Sequence, residues 1–107
     1  MEQLQILVTD DPHGVRLTGE IDMATAPALT EALLAAMAGA TTITIDMADV
    51  TFMDSSGLQA ILAAAAEATM EEPLVVKDPS AAVLRVMELV GVEQMPQIRI
   101  VEDSSRG

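Results

Sequence analysis

The chain has 107 residues, half of them apolar, and its 17 acidic and 5 basic residues give a net charge of -12. This length suits one domain with a single core and is too short for two. Because the sequence has no cysteine, it cannot contain a disulfide framework, a thiol nucleophile or a cysteine-based zinc site. Because the chain is acidic and has no Lys/Arg cluster, nucleic acid and anionic membrane are poor candidate partners. A protein with a basic contact surface is a better candidate.

Phe52 is the only aromatic residue, so the core has to be built from Ala, Leu, Ile, Val and eight Met. Residues 1–5 lack the basic region and apolar block of a signal peptide. The longest uncharged apolar stretches, at 32–40 and 60–66, are far shorter than the roughly 20 residues needed to span a bilayer. We therefore expect a soluble protein of the cytoplasm.

The first part of the chain predicts two strands and a helix. Leu4, Ile6 and Val8 occupy alternate positions, which indicates a strand, and a turn at 10–14 leads to a second strand at 15–19. Thr25 is placed to cap a helix with Pro27 in its first turn and Gly39 at its end. The inward face of this helix is predicted to carry Leu29, Leu33, Ala36 and Met37.

The rest of the chain predicts three more strands and two more helices. A β-branched strand at 41–47 is followed by a helix at 58–68, a short apolar strand at 74–76, a helix capped by Asp78 and ended by Gly91, and a strand at 97–101. The order β-β-α-β-α-β-α-β indicates an α/β fold, with a mixed, mostly parallel sheet and helices packed against it. We expect one domain over residues 1–101 and a flexible polar tail over 102–107.

The stretch Asp54-Ser55-Ser56-Gly57-Leu58 lies between a strand pattern and a helix pattern. Free backbone N–H groups and the positive end of the helix dipole meet at such a place, so a phosphate on Ser55 would be stabilised there. Simple capping of the helix by Asp54 or Ser55 explains the same residues. The tail repeats the tripeptide at Asp103-Ser104-Ser105 without a helix pattern after it, and on this reading the tail copy is inert.

Other polar residues suggest weaker hypotheses. His13, the single histidine, falls in a turn with no second titratable group placed to work with it, so a solvated loop residue is expected. Asp22 lies before a helix cap, where it is either a solvated turn residue or part of a binding loop. Asp46, Asp49 and Asp54 could bring carboxylates to one end of the sheet and hold magnesium, although their spacing matches no known metal signature.

The segment Phe52-Met53-Asp54-Ser55-Ser56-Gly57-Leu58, preceded by Ile43-Thr44-Ile45-Asp46-Met47, resembles the signature of bacterial STAS domains, specifically of the anti-sigma factor antagonists. A second similar segment is Leu17-Thr18-Gly19-Glu20-Ile21-Asp22 with the helix start Thr25-Ala26-Pro27. A weaker one lies at 83–91. Many family members have a further helix after the last strand, whereas only residues 102–107 follow it here.

The resemblance implies a protein switch without cofactor or catalytic activity of its own. In that family an anti-sigma factor with serine kinase activity phosphorylates the serine that matches Ser55. The unphosphorylated antagonist binds the anti-sigma factor and frees the sigma factor, and a serine phosphatase restores this state. By the same resemblance, Asp54 orients the loop and Asp22 contacts the kinase. Ser56 and Gly57 shape the helix start, and Gly57 is small so that the partner and ATP can approach closely.

Two alternatives remain open from the sequence. One is a non-switching STAS subunit, either a scaffold piece of a stress-signalling assembly or the cytoplasmic subunit of a lipid transporter. The other is a small enzyme that uses the carboxylates of Asp46, Asp49 and Asp54. The first differs from the switch in whether Ser55 is modified, and the second predicts metal-dependent turnover.

Overall fold

The computed structural model describes residues 3–38 and 42–102. Within them five strands form one sheet, in the order of the chain. The strands are β1 (Gln5–Asp10), β2 (His13–Ile21), β3 (Ile43–Met53), β4 (Leu74–Lys77) and β5 (Ile98–Val101). The helices are α1 (Ala26–Met37), α2 (Ser55–Ala65) and α3 (Ala81–Leu89), followed by a 3-10 turn at Val92–Gln94.

The sheet is mixed and mostly parallel. β1 and β2 form an antiparallel hairpin, whereas β2, β3, β4 and β5 pair in parallel. A helix connects each parallel pair, and crossovers of this kind are right-handed, so a sheet whose strands follow chain order places its helices on one face. The contacts of α2 with both α1 and α3 agree with such a layer. The predicted fold class and element order are therefore confirmed.

The core lies between the helices and one face of the sheet. Along β3 the side chains of Ile43, Ile45 and Met47 are buried, and those of Thr44 and Asp46 on the other face are half-buried. This alternation follows from the two-residue period of a strand. The core is aliphatic as predicted, because the single aromatic side chain stays 48% exposed and the largest buried side chains are Leu, Ile, Met and Val.

Several predicted details are wrong. Asp78 does not cap α3: the hydroxyl of Ser80 accepts the Val83 N–H at 3.3 Å, and the Asp78 N–H donates to the Val101 carbonyl at 2.9 Å at the end of the sheet. Asp78 also has a left-handed φ of 55°, a conformation that aspartate tolerates better than most residues. Val8 lies on the same face of the sheet as its partner Val15, which is buried, but is itself 67% exposed.

Helix α2 spans Ser55–Ala65. It begins and ends three residues earlier than the predicted helix at 58–68. Gly39 and Thr41, the predicted helix end and strand start, lie outside the described residues, as do residues 103–107. The division into a domain over 1–101 and a flexible tail stays a prediction. In the parts of the chain that the structure covers, no helix combines the length and apolar content needed to cross a lipid bilayer.

Candidate functional site

The candidate site lies where β2 and β3 end side by side. Ile21, the last residue of β2, is paired with Met53, the last residue of β3. The next residue, Asp54, donates its backbone N–H to the Ile21 carbonyl at 3.1 Å. Because the two strands are parallel, Asp22 and Asp54 both lie at the carboxyl ends of the strands, where open α/β sheets tend to bind ligands.

Asp54 caps helix α2. Its backbone is extended, with φ -98° and ψ -172°, and its Oδ1 accepts the N–H groups of Ser56 at 2.8 Å and Gly57 at 3.3 Å. Two of the four N–H groups that a helix start leaves without partners are thereby satisfied. Of the two capping residues that the sequence allowed, the structure selects Asp54.

Ser55 is the first residue of α2 and is exposed. Its hydroxyl forms no hydrogen bond with any residue of the described ranges, because the capping role belongs to the neighbouring carboxylate. The side chain stands at the positive end of the helix dipole. A nucleophilic oxygen is thus free, accessible and placed where a negative group is favoured.

The two residues after Ser55 differ in exposure. Ser56 is half-buried, whereas Gly57 is buried. A Cβ on Gly57 would lie 2.6 Å from Cγ2 of Ile21 and 2.6 Å from Cγ of Met53. The structure therefore gives a packing reason for a glycine here, since α2 packs on the ends of β2 and β3. The close approach of a partner, which the resemblance implies, stays a prediction.

A groove lies between the N-terminal halves of α1 and α2, and Ser56, the residue after Ser55, lines it. Its volume is about 280 Å³. The side chain of Met23 at its rim is 76% exposed. The lining residues are Met23, Ala26, Pro27, Thr30, Ser56, Gln59 and Ala60.

Asp22 has a structural role that the sequence analysis did not assign. Its Oδ1 accepts the N–H groups of Ala24 at 3.0 Å and Thr25 at 3.1 Å, and its own N–H donates to the Thr25 hydroxyl at 2.9 Å. Thr25 occupies the predicted cap position of α1 but makes no capping hydrogen bond with its side chain. Asp22 is thus neither free in a solvated turn nor remote from the site.

The remaining candidate residues do not come together. Asp46 accepts the Ala48 N–H at 3.0 Å, and Asp49 pairs with Arg16 at 3.1 Å, while Asp54 caps α2. Among the described residues no group of three or more acidic or histidine side chains could hold a metal ion. His13 is exposed but not purely solvated, because its Nε2 lies 2.8 Å from the Ala36 carbonyl near the end of α1.

Of the groove residues, Ser56 was predicted from the sequence, whereas Met23, Thr30 and Gln59 were not. Met23 stood outside every periodic pattern, and Thr30 and Gln59 look like ordinary exposed positions. Their meeting depends on how α1 packs against α2, which the pattern of either helix alone does not show. The available signal was Met23 itself, because methionine is over-used at adaptable binding surfaces.

A family model described as "Mlab, STAS domain" matches residues 5–102. Comparison with curated protein sequences gives no match. Among solved structures, the chain is similar to an anti-sigma factor antagonist from Mycobacterium paratuberculosis, with 31% identity, a TM-score of 0.80, and coverage of 91% of this chain and 86% of that one. The chain therefore belongs to the STAS-domain family, and the resemblance found in the sequence is confirmed.

Two further structures share the fold at lower identity. The anti-sigma factor antagonist SpoIIAA in its unphosphorylated form is 19% identical, with a TM-score of 0.61 over 97% of this chain and 92% of that one. The Bacillus cell fate determinant SpoIIAA in its phosphorylated form is 22% identical, with a TM-score of 0.64 over 97% of this chain and 96% of that one.

Proposed function

We propose that this chain is an anti-sigma factor antagonist of the cytoplasm, whose binding to an anti-sigma factor is switched off by phosphorylation of Ser55. The observation that carries the proposal is the division of roles at the start of α2: Asp54 caps the helix, and Ser55 is exposed next to Ser56, which lines the groove. Of the similar structures, one is an anti-sigma factor antagonist at 31% identity, and SpoIIAA exists in a phosphorylated form.

The electrostatics of the site support a switch that leaves the fold intact. A phosphate adds about -1.5 to -2 charges and three acceptor oxygens. The helix dipole and the backbone N–H of Ser55 favour that charge, which keeps the modified protein folded. A partner that covers the groove would have to remove water from the same charge, and this cost opposes binding.

The partner in the proposal is an anti-sigma factor with serine kinase activity, and a serine phosphatase reverses the modification. Groove residues with exposed apolar area, above all Met23, supply the contact, since Met adapts readily to a partner surface. Asp22 and Asp54 directly follow the carboxyl ends of β2 and β3. The proposal gives them a positioning role, through the starts of α1 and α2, for the surface that the kinase reads.

Binding of Ser55 variants to candidate anti-sigma factors of the host tests the proposal. Ser55→Ala should bind like the wild type, whereas Ser55→Asp should bind at least about tenfold more weakly, a loss of about 1.4 kcal/mol. Ser104→Asp is the matched control, because it adds the same charge to the tail copy of the motif and should leave the Kd unchanged. Equal binding of both Ser55 variants would contradict the switch.

A second candidate is a STAS subunit that binds its partner without switching, as in a signalling scaffold or a lipid transporter. The description of the matched family model, which names Mlab and no anti-sigma factor antagonist, favours it. This candidate predicts that the protein copurifies with its partner whatever the state of Ser55. The binding series on the Ser55 variants therefore separates the two candidates.

A further inference from the structure

Strand β1 forms an edge of the sheet and is apolar on both faces. It pairs with β2 on one side, and no described strand pairs with its other side. Leu7 is 60% exposed and Val8 is 67% exposed. Neighbouring residues of a strand point to opposite faces, so apolar surface flanks the unpaired backbone groups above and below.

The opposite edge of the sheet is built differently. β5 has four residues, with the exposed Arg99 in it, Pro96 shortly before it and Glu102 directly after it. Short length, charge and proline are the usual means of preventing an edge strand from pairing with another chain. β1 has six residues, and its stretch from Gln5 to Thr9 contains neither charge nor proline.

We propose that β1 pairs antiparallel with β1 of a second copy of this chain, which joins the two sheets into one. In a register centred on Leu7, the strand is complementary to itself. Ile6 then faces Val8 of the second copy, Gln5 faces Thr9, and Asp10 faces Leu4. The two-fold axis passes through the pair of Leu7 side chains, as the closed symmetry of a dimer requires.

Charge favours the antiparallel direction of pairing over the parallel one. Parallel in-register pairing would place Asp10 next to Asp10 of the second copy, whereas the antiparallel register separates them. Two copies with a net charge of -12 each repel one another over acidic surfaces. The uncharged stretch at 5–9 offers a place where cross-strand hydrogen bonds and apolar contacts form with little added repulsion.

The dimer leaves the Ser55 site accessible. β1 lies at the outer edge of the sheet, with β2 between it and β3, and α2 begins at the end of β3. Pairing of one strand covers little surface, so the dimer falls in the weak class of interfaces below about 1,200 Å². We therefore expect a monomer–dimer equilibrium that depends on protein concentration.

Sedimentation equilibrium of the full chain tests this pairing, from about 10 µM to about 1 mM, where interfaces of this size associate. The wild type should shift from monomer to dimer over this range. Leu7→Lys and Val8→Lys, which place charge on the edge, should stay monomeric. Leu89→Lys is the matched control, because it makes the same change at a side chain that is 81% exposed on α3, and it should dimerise like the wild type.

Hydrogen exchange adds a readout that locates the interface. The β1 amides that do not bond to β2 should exchange more slowly at high concentration in the wild type and in Leu89→Lys, but not in Leu7→Lys. A monomeric wild type at all concentrations would overturn the proposal. So would dimers of Leu7→Lys, or equal loss of the dimer in Leu89→Lys, since the latter would indicate unspecific apolar association.

Discussion

At the scale of single residues, the site depends on two neighbours that divide two tasks. The carboxylate of Asp54 holds the N–H groups of Ser56 and Gly57, so the helix start does not need the Ser55 hydroxyl. The Ser55 hydroxyl holds no backbone group of the helix start, so adding a phosphate to it, as we propose, removes no capping hydrogen bond.

This division predicts that two alanine substitutions differ in their effect on stability. Asp54→Ala should lower the free energy of unfolding by about 1 kcal/mol, within the 0.5–2 kcal/mol typical of lost caps. Ser55→Ala should change it by less than about 0.5 kcal/mol, as for an ordinary surface site. Urea unfolding followed by circular dichroism measures both values. A larger loss for Ser55→Ala than for Asp54→Ala would mean that the serine is the cap.

Gly57 is a second residue whose effect belongs to packing. Gly57→Ala places a methyl group 2.6 Å from side-chain carbons of Ile21 and Met53, so α2 has to shift. Such overpacking typically costs about 1–3 kcal/mol, which urea unfolding would detect. The control is Ser56→Ala, one residue earlier on the helix and only half-buried, which should be nearly neutral. An unchanged Gly57→Ala protein would contradict the packing account.

At the scale of elements, strand ends and helix starts place the site. Hydrogen bonds tie Asp54 to Ile21, and Asp22 to Thr25. The turn at Asp22 therefore fixes where α1 begins, and α1 forms one wall of the groove. This structural role needs only the Oδ1 acceptor of Asp22, whereas a direct contact of the carboxylate with a kinase would depend on its negative charge.

Two substitutions at Asp22 separate these roles. Asp22→Asn keeps the Oδ1 acceptor and loses the charge, so stability should change little, and a weaker interaction with the kinase would then reveal a direct contact of the carboxylate. Asp22→Ala removes the acceptor and should cost about 1 kcal/mol, the usual value of a hydrogen bond. Thermal unfolding and partner binding should be measured on both variants. Equal stability of Asp22→Ala and the wild type would contradict the structural role of the Asp22 side chain in the turn before α1.

Sequence patterns predicted most elements but not the details of their ends. Alternation in β3 and helical spacing in α2 reflect burial on one face, which a pattern shows directly. The start of α3 was misplaced, because Asp78-Pro79 and Ser80 offer competing caps and the pairing of β4 with β5 decides between them. Alternation placed Val8 on the face of the buried Val15, but it could not show that Val8 is exposed, since that depends on how far the helices extend over an edge strand.

The candidate site was predicted in part. The spacing of Asp54 and Ser55 before an apolar helix indicated a helix start, and the resemblance to STAS domains pointed to Ser55. The pattern could not decide between the two caps, because both side chains can accept a backbone N–H in the same position. The groove around Met23 was not foreseen, because it exists only where α1 and α2 pack together.

At the scale of the whole molecule, one layer of helices covers one face of a mostly parallel sheet, and the net charge is -12. This acidity has a kinetic consequence for the proposed partner. Long-range attraction to a basic contact surface speeds association and is screened by salt. Binding of the unphosphorylated protein to its anti-sigma factor should therefore slow as ionic strength rises.

Stopped-flow measurement of association at about 0.05 M and about 0.5 M salt tests this expectation, because screening of long-range charge acts mainly on the association rate constant kon. We expect kon to fall with salt while koff changes less. The variant Glu93→Gln removes one exposed acidic group in the 3-10 turn before β5, which does not line the groove, and it should lower the salt dependence only slightly. A kon that does not respond to salt would contradict the role of the net charge.

The central claim is that Ser55 accepts a phosphate, and site mapping after incubation with ATP and the anti-sigma kinases of the host tests it most directly. Intact mass and peptide mapping should show one phosphate on Ser55 in the wild type and none in Ser55→Ala. Phosphate on Ser104 or Ser105 in place of Ser55 would contradict the positional argument. A kinase that binds the chain and leaves Ser55 unmodified would contradict the switch and favour the non-switching STAS subunit.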